Sequence, residues 1–196
     1  MDNPFDPGFY HSEELRSFGF AHVGENVRVA KNCVIIGLPN IELGDDSRID
    51  AGTCIFATTG RLRLLGANHI GGQNHFAVAA DLTFGDFSGT SQGVRIYTST
   101  DDYTGKWMAG PCVPPELRRP KTAPITIGRH CIVGSGSVIL PGCDFADGAA
   151  VGALSLVTKP LEEWTMNHGN PAKRIGRRSR RVLTLELALR NAAIAA

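Results

Sequence analysis

Three residues have the types and positions expected for proton transfer: His75, Asp101 and Asp102. An imidazole can accept a proton near neutral pH, and a carboxylate can orient it or bind a polar reactant. His75 directly precedes the apolar Phe76, so we expect its side chain to point outward while that of Phe76 points inward. Two alternatives remain open: His75 is a surface or interface histidine, and Asp101 and Asp102 form an Asx-type turn.

The element that must position these residues is clearest in a periodic stretch from residue 127 to 158. Neither the helical period of 3.6 nor the strand period of 2 produces its spacing. The pattern predicts short strands joined by corners, stacked coil on coil as a parallel β-helix. Apolar residues recur every six positions at Ile127, Val133, Ile139, Phe145, Val151 and Val157, and small residues follow at Cys131, Ser137, Cys143, Ala149 and Ser155.

The same six-residue step is present earlier in the chain. Residues 57–68 interrupt it. With three sides to a coil, these positions predict roughly six coils. The inward apolar positions are Val23, Val29, Ile35, Leu43, Ile49, Ile55, Ile70, Phe76, Phe84, Thr90 and Ile96.

We expect three segments along the chain. Residues 1–20 form a helical lead-in, with Ser12 as N-cap and Gly19 as its end. Residues 21–158 form the β-helix. Residues 159–196 form a turn, a basic segment read as a solvated helix face, and a helix that begins at Ser179. That helix is expected to cap the stack or pack on a neighbour through an apolar stripe of Val182, Leu185 and Leu189.

A long loop, residues 97–124, breaks the period inside the predicted β-helix. Loops of this length within a compact repeat are uncommon unless they are functional or disordered. Its prolines and aromatic residues favour a packed structure that shapes a binding cleft. We therefore expect Tyr103 and Trp107 to contact a substrate.

Composition narrows the function classes. The formal net charge of +1 gives no argument for binding nucleic acid or a membrane surface, and no apolar run is long enough to span a membrane. The first residues lack the features of a signal peptide. The five cysteines lack the spacing of a metal site, so we expect reduced thiols, no metal and a cytoplasmic location.

The hexapeptide pattern, the long loop and the segment SLVTKPLEEWTMNHGNPAK together resemble the hexapeptide-repeat acyltransferases. The resemblance is closest to the sugar O-acetyltransferase branch, with the maltose and galactoside acetyltransferases. The segment FGDFSGTSQGVRIYTSTDDYTG is similar to members that act on surface polysaccharides. The resemblance implies an all-β, left-handed parallel β-helix, a homotrimer with sites between subunits, and acetyl-CoA as co-substrate.

The resemblance also implies roles for individual residues. The maltose and galactoside enzymes carry a histidine just after a Ser-x-Thr stretch, and here Asp102 occupies roughly that place. His75 is therefore the expected base, and Asp101 or Asp102 is expected to orient it or to bind the acceptor. Trp164 either stacks on adenine or serves in packing. The positions expected to bind the cofactor are Gly134, Ser135, Gly152, Ala153, Ser155, Thr158, Lys159, Pro171, Lys173 and Arg174.

The function expected from the resemblance is transfer of an acetyl group to a sugar hydroxyl, in surface-polysaccharide biosynthesis. One alternative is N-acetylation of an amino-sugar nucleotide. Another is an inactive β-helix that serves as a binding or assembly module. The segment GNPAK and the basic residues after it favour an enzyme, whereas the missing loop histidine favours the module.

Overall fold

The chain winds into a parallel β-helix of very short strands. The computed structural model describes residues 3–194, and within them it has 22 strands and two α-helices, α1 (Ser12–Arg16) and α2 (Arg181–Ile194). The strands are β1 (Phe9–His11), β2 (His22–Val23), β3 (Arg28–Ala30), β4 (Val34–Ile36), β5 (Ile41–Leu43), β6 (Arg48–Ile49), β7 (Cys54–Phe56), β8 (Leu62–Leu64), β9 (His69–Ile70), β10 (His75–Ala77), β11 (Leu82–Phe84), β12 (Gly89–Thr90), β13 (Arg95–Tyr97), β14 (Ser99–Thr100), β15 (Lys121–Thr122), β16 (Ile125–Ile127), β17 (Ile132–Val133), β18 (Val138–Ile139), β19 (Ala150–Val151), β20 (Leu156–Val157), β21 (Thr165–His168) and β22 (Lys173–Arg177).

Three sheets form the sides of the β-helix. The nine-stranded sheet has the order β1-β3-β6-β9-β12-β17-β19-β21-β22. The six-stranded sheet runs β20-β18-β13-β10-β7-β4, and the five-stranded sheet runs β16-β11-β8-β5-β2. Neighbouring coils pair in parallel, so the predicted fold class is confirmed.

The core consists of the apolar rows that the six-residue step predicts. Nearly all of the predicted inward positions are buried, from Val23 to Val157, and Ile35 is partly buried. Small residues at the corners between them, such as Ser47 and Thr53, are buried as well. Each coil buries its apolar row against the next, which is the packing expected of a stacked repeat.

The interval 57–68, predicted to be irregular, contains a regular coil. Leu62 and Leu64 are buried in β8, which pairs with β5 and β11. The turn at residues 58–60 adds residues at a corner, where they change the spacing without changing the strand. The six-residue step therefore fails in the sequence while the coil is complete in the structure.

The predicted N-terminal helix is shorter than expected, and Ser12 is not its cap. Residues 9–11 form β1, which pairs antiparallel with β3, and His11 is the N-cap of α1. The Ser12 hydroxyl instead accepts a hydrogen bond from Val27 N at 2.9 Å. Attachment to the first coil thus determines the conformation of this segment.

The C-terminal segment departs from the prediction in two ways. Lys173–Arg177 is not a helix face but β22, which pairs antiparallel with β21. In α2, Leu185 and Leu189 are exposed and the buried residue is Glu186, so the predicted apolar stripe does not face the β-helix. Residues 1–2 and 195–196 of the predicted terminal segments lie outside the described residues.

The long loop leaves the β-helix through a two-stranded stem. Strands β14 and β15 pair antiparallel, and the hydroxyls of Ser99 and Thr122 lie 2.9 Å apart. At the base, buried Thr98 accepts hydrogen bonds from Ala79 N at 2.8 Å and Ala80 N at 2.9 Å. The loop is therefore anchored to the preceding coil at its root.

Candidate functional site

The corner between the nine-stranded and six-stranded sheets is a continuous column of stacked turns. Gly136 N donates to Gln92 O at 2.9 Å, and Leu154 N donates to Ser135 O at 2.8 Å. The side chains of Ser135 and Gln92 are 3.3 Å apart. Four residues expected to bind the cofactor therefore lie along one edge of the molecule, which we call the corner column: Gly134, Ser135, Gly152 and Ala153.

Close packing between coils explains the glycines of the corner column. A Cβ atom on Gly134 would lie 2.4 Å from Ala153 N, and one on Gly152 would lie 2.6 Å from His168 Cδ2. Such distances leave no room for a side chain. At Gly134 the backbone of the next coil takes that space, and at Gly152 the His168 ring does, so the stacking of the coils requires glycine at both positions.

Ser155 does not belong to this surface, contrary to the expectation. Its side chain is buried, its hydroxyl donates to Gly152 O at 2.8 Å, and it accepts from Gly169 N at 3.0 Å. Ser155 is the small inward residue of its coil, and its hydroxyl holds the next turn in place. A direct contact with a cofactor is therefore not available to it.

The remaining residues expected to bind the cofactor gather at the C-terminal end of the β-helix. Thr158, Pro171 and Lys173 are exposed, and Lys159 and Arg174 line the same cavity of about 200 Å³. Ala172 N donates to Leu156 O at 2.8 Å, which fixes the turn containing Pro171 against β20. Cationic groups are thus available where the corner column ends.

Asp102 has a structural role in the long loop. Its carboxylate accepts hydrogen bonds from the backbone N–H groups of Thr104, Lys106 and Trp107, at 3.0, 3.0 and 3.1 Å. The Thr104 hydroxyl is 2.8 Å from one of its oxygens. Hydrogen bonds from the backbone and side chain of Thr104, joined by those from Trp107 and Lys106, hold the pKa of Asp102 below its usual value. This geometry matches the Asx-type turn considered above.

Asp101, by contrast, faces an open cavity. Its Oδ2 accepts from Gly110 N at 3.0 Å, and Oδ1 has no protein partner within residues 3–194. The cavity has a volume of about 430 Å³, and Val138 and Leu140 of the next coil contribute apolar surface. Tyr97 and Tyr103, the latter 91% exposed, complete it together with the polar loop residues.

His75 lies apart from that cavity, on the outer face of the six-stranded sheet. Its ring centroid is 5.4 Å from that of Phe56 and 5.9 Å from that of Tyr97. Tyr97 lies between His75 and the cavity of Asp101, so the structure does not bring the expected base and carboxylate into contact.

Trp107 packs with Arg119, whose guanidinium is 4.8 Å from the indole centroid.

One residue of the corner column was not predicted as functional. Ser91 lies in the coil above Gly134, since Thr90 and Val133 are partners in the sheet. It lines a cavity of about 230 Å³ that also includes His69. The sequence signal was available, because Ser91-Gln92-Gly93 occupies the corner that Gly134-Ser135-Gly136 occupies one coil later.

His130 and Trp164 both have packing roles. His130 is buried and stacks on Phe87 with centroids 5.2 Å apart. Trp164 is also buried, and the guanidinium of Arg180 lies 5.5 Å from its ring. The packing alternative for Trp164 therefore matches the structure better than stacking on an adenine.

Residues 3–194 hold no cluster of three or more His, Cys, Asp or Glu side chains placed to bind a metal. In the same residues, no helix has the length and apolar character required to cross a membrane.

Comparisons with known proteins agree with this geometry. Residues 21–57 and 124–159 match the family described as the hexapeptide repeat of succinyl-transferase. A dTDP-4-amino-4,6-dideoxy-D-glucose acyltransferase of Escherichia coli is 37% identical, over 92% of this chain and 94% of its own length.

Solved structures extend the match. AntD, an N-acyltransferase from Bacillus cereus solved with dTDP and 3-hydroxybutyryl-CoA, is 29% identical, with a TM-score of 0.90 over 95% of this chain and 98% of its own. A maltose O-acetyltransferase from Clostridium difficile shares the fold, at 23% identity and a TM-score of 0.57, over 86% of this chain and 74% of its own.

The two relatives that match nearly the whole chain are both named as acyltransferases. The alternative of an inactive assembly module is set aside, and the expected O-acetyltransferase branch is not the one that these full-length matches represent. The chain belongs to the hexapeptide-repeat acyltransferases, with the left-handed parallel β-helix of that family.

Proposed function

We propose that this enzyme transfers an acyl group from a coenzyme A thioester to the amino group of a nucleotide-linked amino sugar. The expected transfer to a hydroxyl gives way to the N-acylation alternative. The support is the near full-length similarity to the Escherichia coli and Bacillus cereus enzymes, whose names specify a dTDP-linked amino sugar and N-acyl transfer. The similarity to the maltose enzyme, at 23% identity, supports the fold alone.

The observation that carries the proposal is the placement of Ser91 and Asp101. AntD was solved with a substituted serine, with dTDP-4-amino-4,6-dideoxyglucose and coenzyme A bound, and with a substituted aspartate ten positions further along. Ser91 and Asp101 have that spacing here. Ser137 and Asp147 share it, but Ser137 is fully buried. Ser91 and Asp101 are therefore the matching pair on the surface.

Each of the two residues has a definite chemical role in this proposal. The pantetheine arm lies along the corner column, so that the thioester reaches Ser91 in the coil above Gly134. The Ser91 hydroxyl donates a hydrogen bond to the carbonyl oxygen, which becomes negative as the amine attacks. Ser91 and Asp101 line separate cavities of one chain, so in this proposal they meet across a subunit interface of the proposed homotrimer. There the free Oδ1 of Asp101 binds the amino group and positions its nitrogen for attack.

The cavity around Asp101 suits a deoxygenated amino sugar. Val138 and Leu140 offer apolar surface to a methyl group, while the carboxylate faces an amine. The two tyrosines, Tyr97 and Tyr103, offer flat faces to a sugar or base ring. A neutral sugar with hydroxyls at every carbon would leave polar groups against the apolar surface, which is unfavourable.

The cofactor phosphates are assigned to the cations at the end of the corner column. Lys159, Lys173 and Arg174 are all exposed there, and the guanidinium of Arg174 lies 3.0 Å from Glu162. The expected acetyl donor remains a proposal, because AntD was solved with a longer acyl-CoA. The homotrimer, the cytoplasmic location and a role in surface-polysaccharide assembly also remain proposals.

The test measures coenzyme A release from acetyl-CoA and from 3-hydroxybutyryl-CoA with three acceptors. These are dTDP-4-amino-4,6-dideoxyglucose, the same nucleotide sugar with a hydroxyl in place of the amine, and maltose. We expect thiol release and amide formation with the amine alone. Release with maltose but not with the amine would refute N-acylation and restore the O-acetyl assignment.

A further inference from the structure

A histidine and an aspartate are paired on the outer face of the nine-stranded sheet, outside the residues assigned above. Nε2 of His69 lies 2.7 Å from Oδ2 of Asp50, and Nε of Arg48 lies 2.5 Å from Oδ1 of the same carboxylate. The Asp50 side chain is 20% exposed, whereas that of His69 is 59% exposed. The pair thus joins a fixed carboxylate to an accessible imidazole.

The carboxylate determines which ring nitrogen of His69 is free. Burial raises the pKa of Asp50, but hydrogen bonds from His69 and Arg48 and their charges outweigh it and hold that pKa below its usual value. An ionised carboxylate only accepts hydrogen bonds, so Nε2 carries the hydrogen that faces Asp50. In the neutral imidazole, Nδ1 then presents a lone pair that can accept a proton.

A groove leads from His69 to Ser91. In the sheet, Gly89 is the partner of His69 on one side and of Ile132 on the other. His69, Gly89 and Ile132 line one cavity, and the strands are packed so closely there that a Cβ on Gly89 would lie 2.4 Å from His69 O. Ser91 lines the same cavity of about 230 Å³. We call this cavity the His69 groove.

We propose that His69, oriented by Asp50, is the general base of the acyl transfer. This inference rests on the proposed function, which brings the thioester to Ser91. The amine nitrogen attacks the thioester carbonyl carbon and forms the C–N bond, and Nδ1 of His69 takes the proton that the nitrogen loses. The C–S bond breaks, the proton passes to the departing sulfur, and the products are the amide and the coenzyme A thiol.

His75, the base expected from the sequence, is the competing candidate. Its ring lies between Phe56 and Tyr97, and among the described residues no carboxylate is hydrogen-bonded to it. Without such a partner, neither of its nitrogens is held in a defined protonation state. The geometry therefore favours His69, because a carboxylate that orients a base is a recurring arrangement in acyl transfer.

The test uses the full-length enzyme and the amine acceptor. The variant His69→Ala is expected to lower kcat about 100-fold or more, with KM for both substrates within about twofold. Added imidazole is expected to restore part of the rate, because the shortened side chain enlarges the His69 groove. His22→Ala, at the exposed position of strand β2, is the matched control and is expected to keep the wild-type kcat in the absence and presence of imidazole.

The outcomes separate this inference from the proposed function. If the wild-type enzyme makes the amide and His69→Ala keeps its kcat, the base assignment is wrong and N-acylation stands. A loss in His69→Ala without rescue by imidazole, or an equal loss in His75→Ala that imidazole restores, also overturns it. If the wild-type enzyme makes no amide with any acyl-CoA tested, both proposals fail together.

Discussion

The imidazole of His130 lies 2.7 Å from the carboxylate of Glu186, and this pair joins the β-helix to α2. Glu186 is only 7% exposed, and its carboxylate also accepts hydrogen bonds from Arg129 at 2.6 and 2.8 Å and from Arg190 at 2.7 Å. The face of α2 that meets the β-helix is therefore attached through charge, while Leu185 and Leu189 point away from it.

Removal of this carboxylate should destabilise the protein. We expect Glu186→Ala to lower the free energy of unfolding by about 3 kcal/mol, because it leaves the His130 ring buried without its partner. Urea titration followed by circular dichroism measures the change. Glu163→Ala is the control: its ion pair with Arg180, at 3.2 Å, is exposed, so its loss should cost less than about 1 kcal/mol. Equal losses in the two variants would contradict the role given to Glu186.

The same cluster predicts a dependence of stability on pH. Burial raises the pKa of Glu186, but hydrogen bonds from His130 and Arg190 and the charge of Arg129 hold it below its usual value. A carboxyl with a depressed pKa contributes stability above its unfolded pKa and loses it as pH falls through its folded pKa. The stability difference between wild type and Glu186→Gln should therefore shrink below the usual glutamate pKa. A constant difference down to pH 3 would show that Glu186 is not ionised in the fold.

Thiol reactivity should follow burial. Burial raises the pKa of Cys131 to about 12, and burial raises the pKa of Cys143 as well, whereas Cys112 in the long loop is exposed. Since the thiolate is the reactive form, we expect a disulfide reagent at pH 8 to modify Cys112 first. Cys131 and Cys143 should react only after denaturation. Cys112→Ser should remove the fast phase, and persistence of that phase would show another thiol to be accessible.

The two neighbouring aspartates should respond differently to substitution. Asp102→Ala removes the acceptor for three backbone N–H groups, so the long loop should open and trypsin should cleave after Lys106 faster than in wild type. Asp101→Asn should leave that cleavage rate unchanged but lower turnover with the amine acceptor about 100-fold, because the attacking nitrogen is no longer held in position. The reverse pattern would exchange the roles given to Asp101 and Asp102.

Lys173 should contribute to cofactor binding through charge. We expect Lys173→Ala to weaken coenzyme A binding about tenfold at low salt, since hydrogen bonds to charged groups contribute about 1.5 kcal/mol. Calorimetry at rising salt should show the difference decreasing as the charges are screened. Lys121→Ala, on strand β15 of the loop stem, is the control and should bind like wild type. A loss that does not change with salt would contradict an ionic role.

The sequence predicts the coils well because each inward row consists of large apolar residues at a fixed spacing. The secondary-structure prediction is wrong where residues are added at a corner, as at 58–60. It is also wrong where a segment takes its conformation from a neighbouring strand in space. Phe9–His11 and Lys173–Arg177 are strands because β3 and β21 offer free edges, and no local pattern encodes those edges.

The candidate site was predicted less well than the fold. The corner column follows directly from the repeat, because Gly134 and Gly152 occupy equivalent corners of successive coils. The expected roles of Asp102 and His75 rest on their positions in the sequence alone. In the structure, backbone N–H groups surround the Asp102 carboxylate, and aromatic rings surround the His75 imidazole. Neither environment can be read from the sequence. Ser91 and the His69 groove depend on which residues become neighbours between coils.

Strand β1 pairs antiparallel with β3, and strand β22 pairs antiparallel with β21. These two pairs affect whether copies of the chain can associate end to end. A stack of parallel strands has two open ends, and each end could recruit an identical chain and grow into a fibre. Here a reversed strand closes the nine-stranded sheet at both ends, so the hydrogen-bonding pattern no longer matches that of another copy. Lys173, Arg174 and Arg177 add charge of one sign at the C-terminal end. The two terminal strands thereby protect the edges of the nine-stranded sheet, whereas the other two sheets end in the parallel strands β4, β20, β2 and β16.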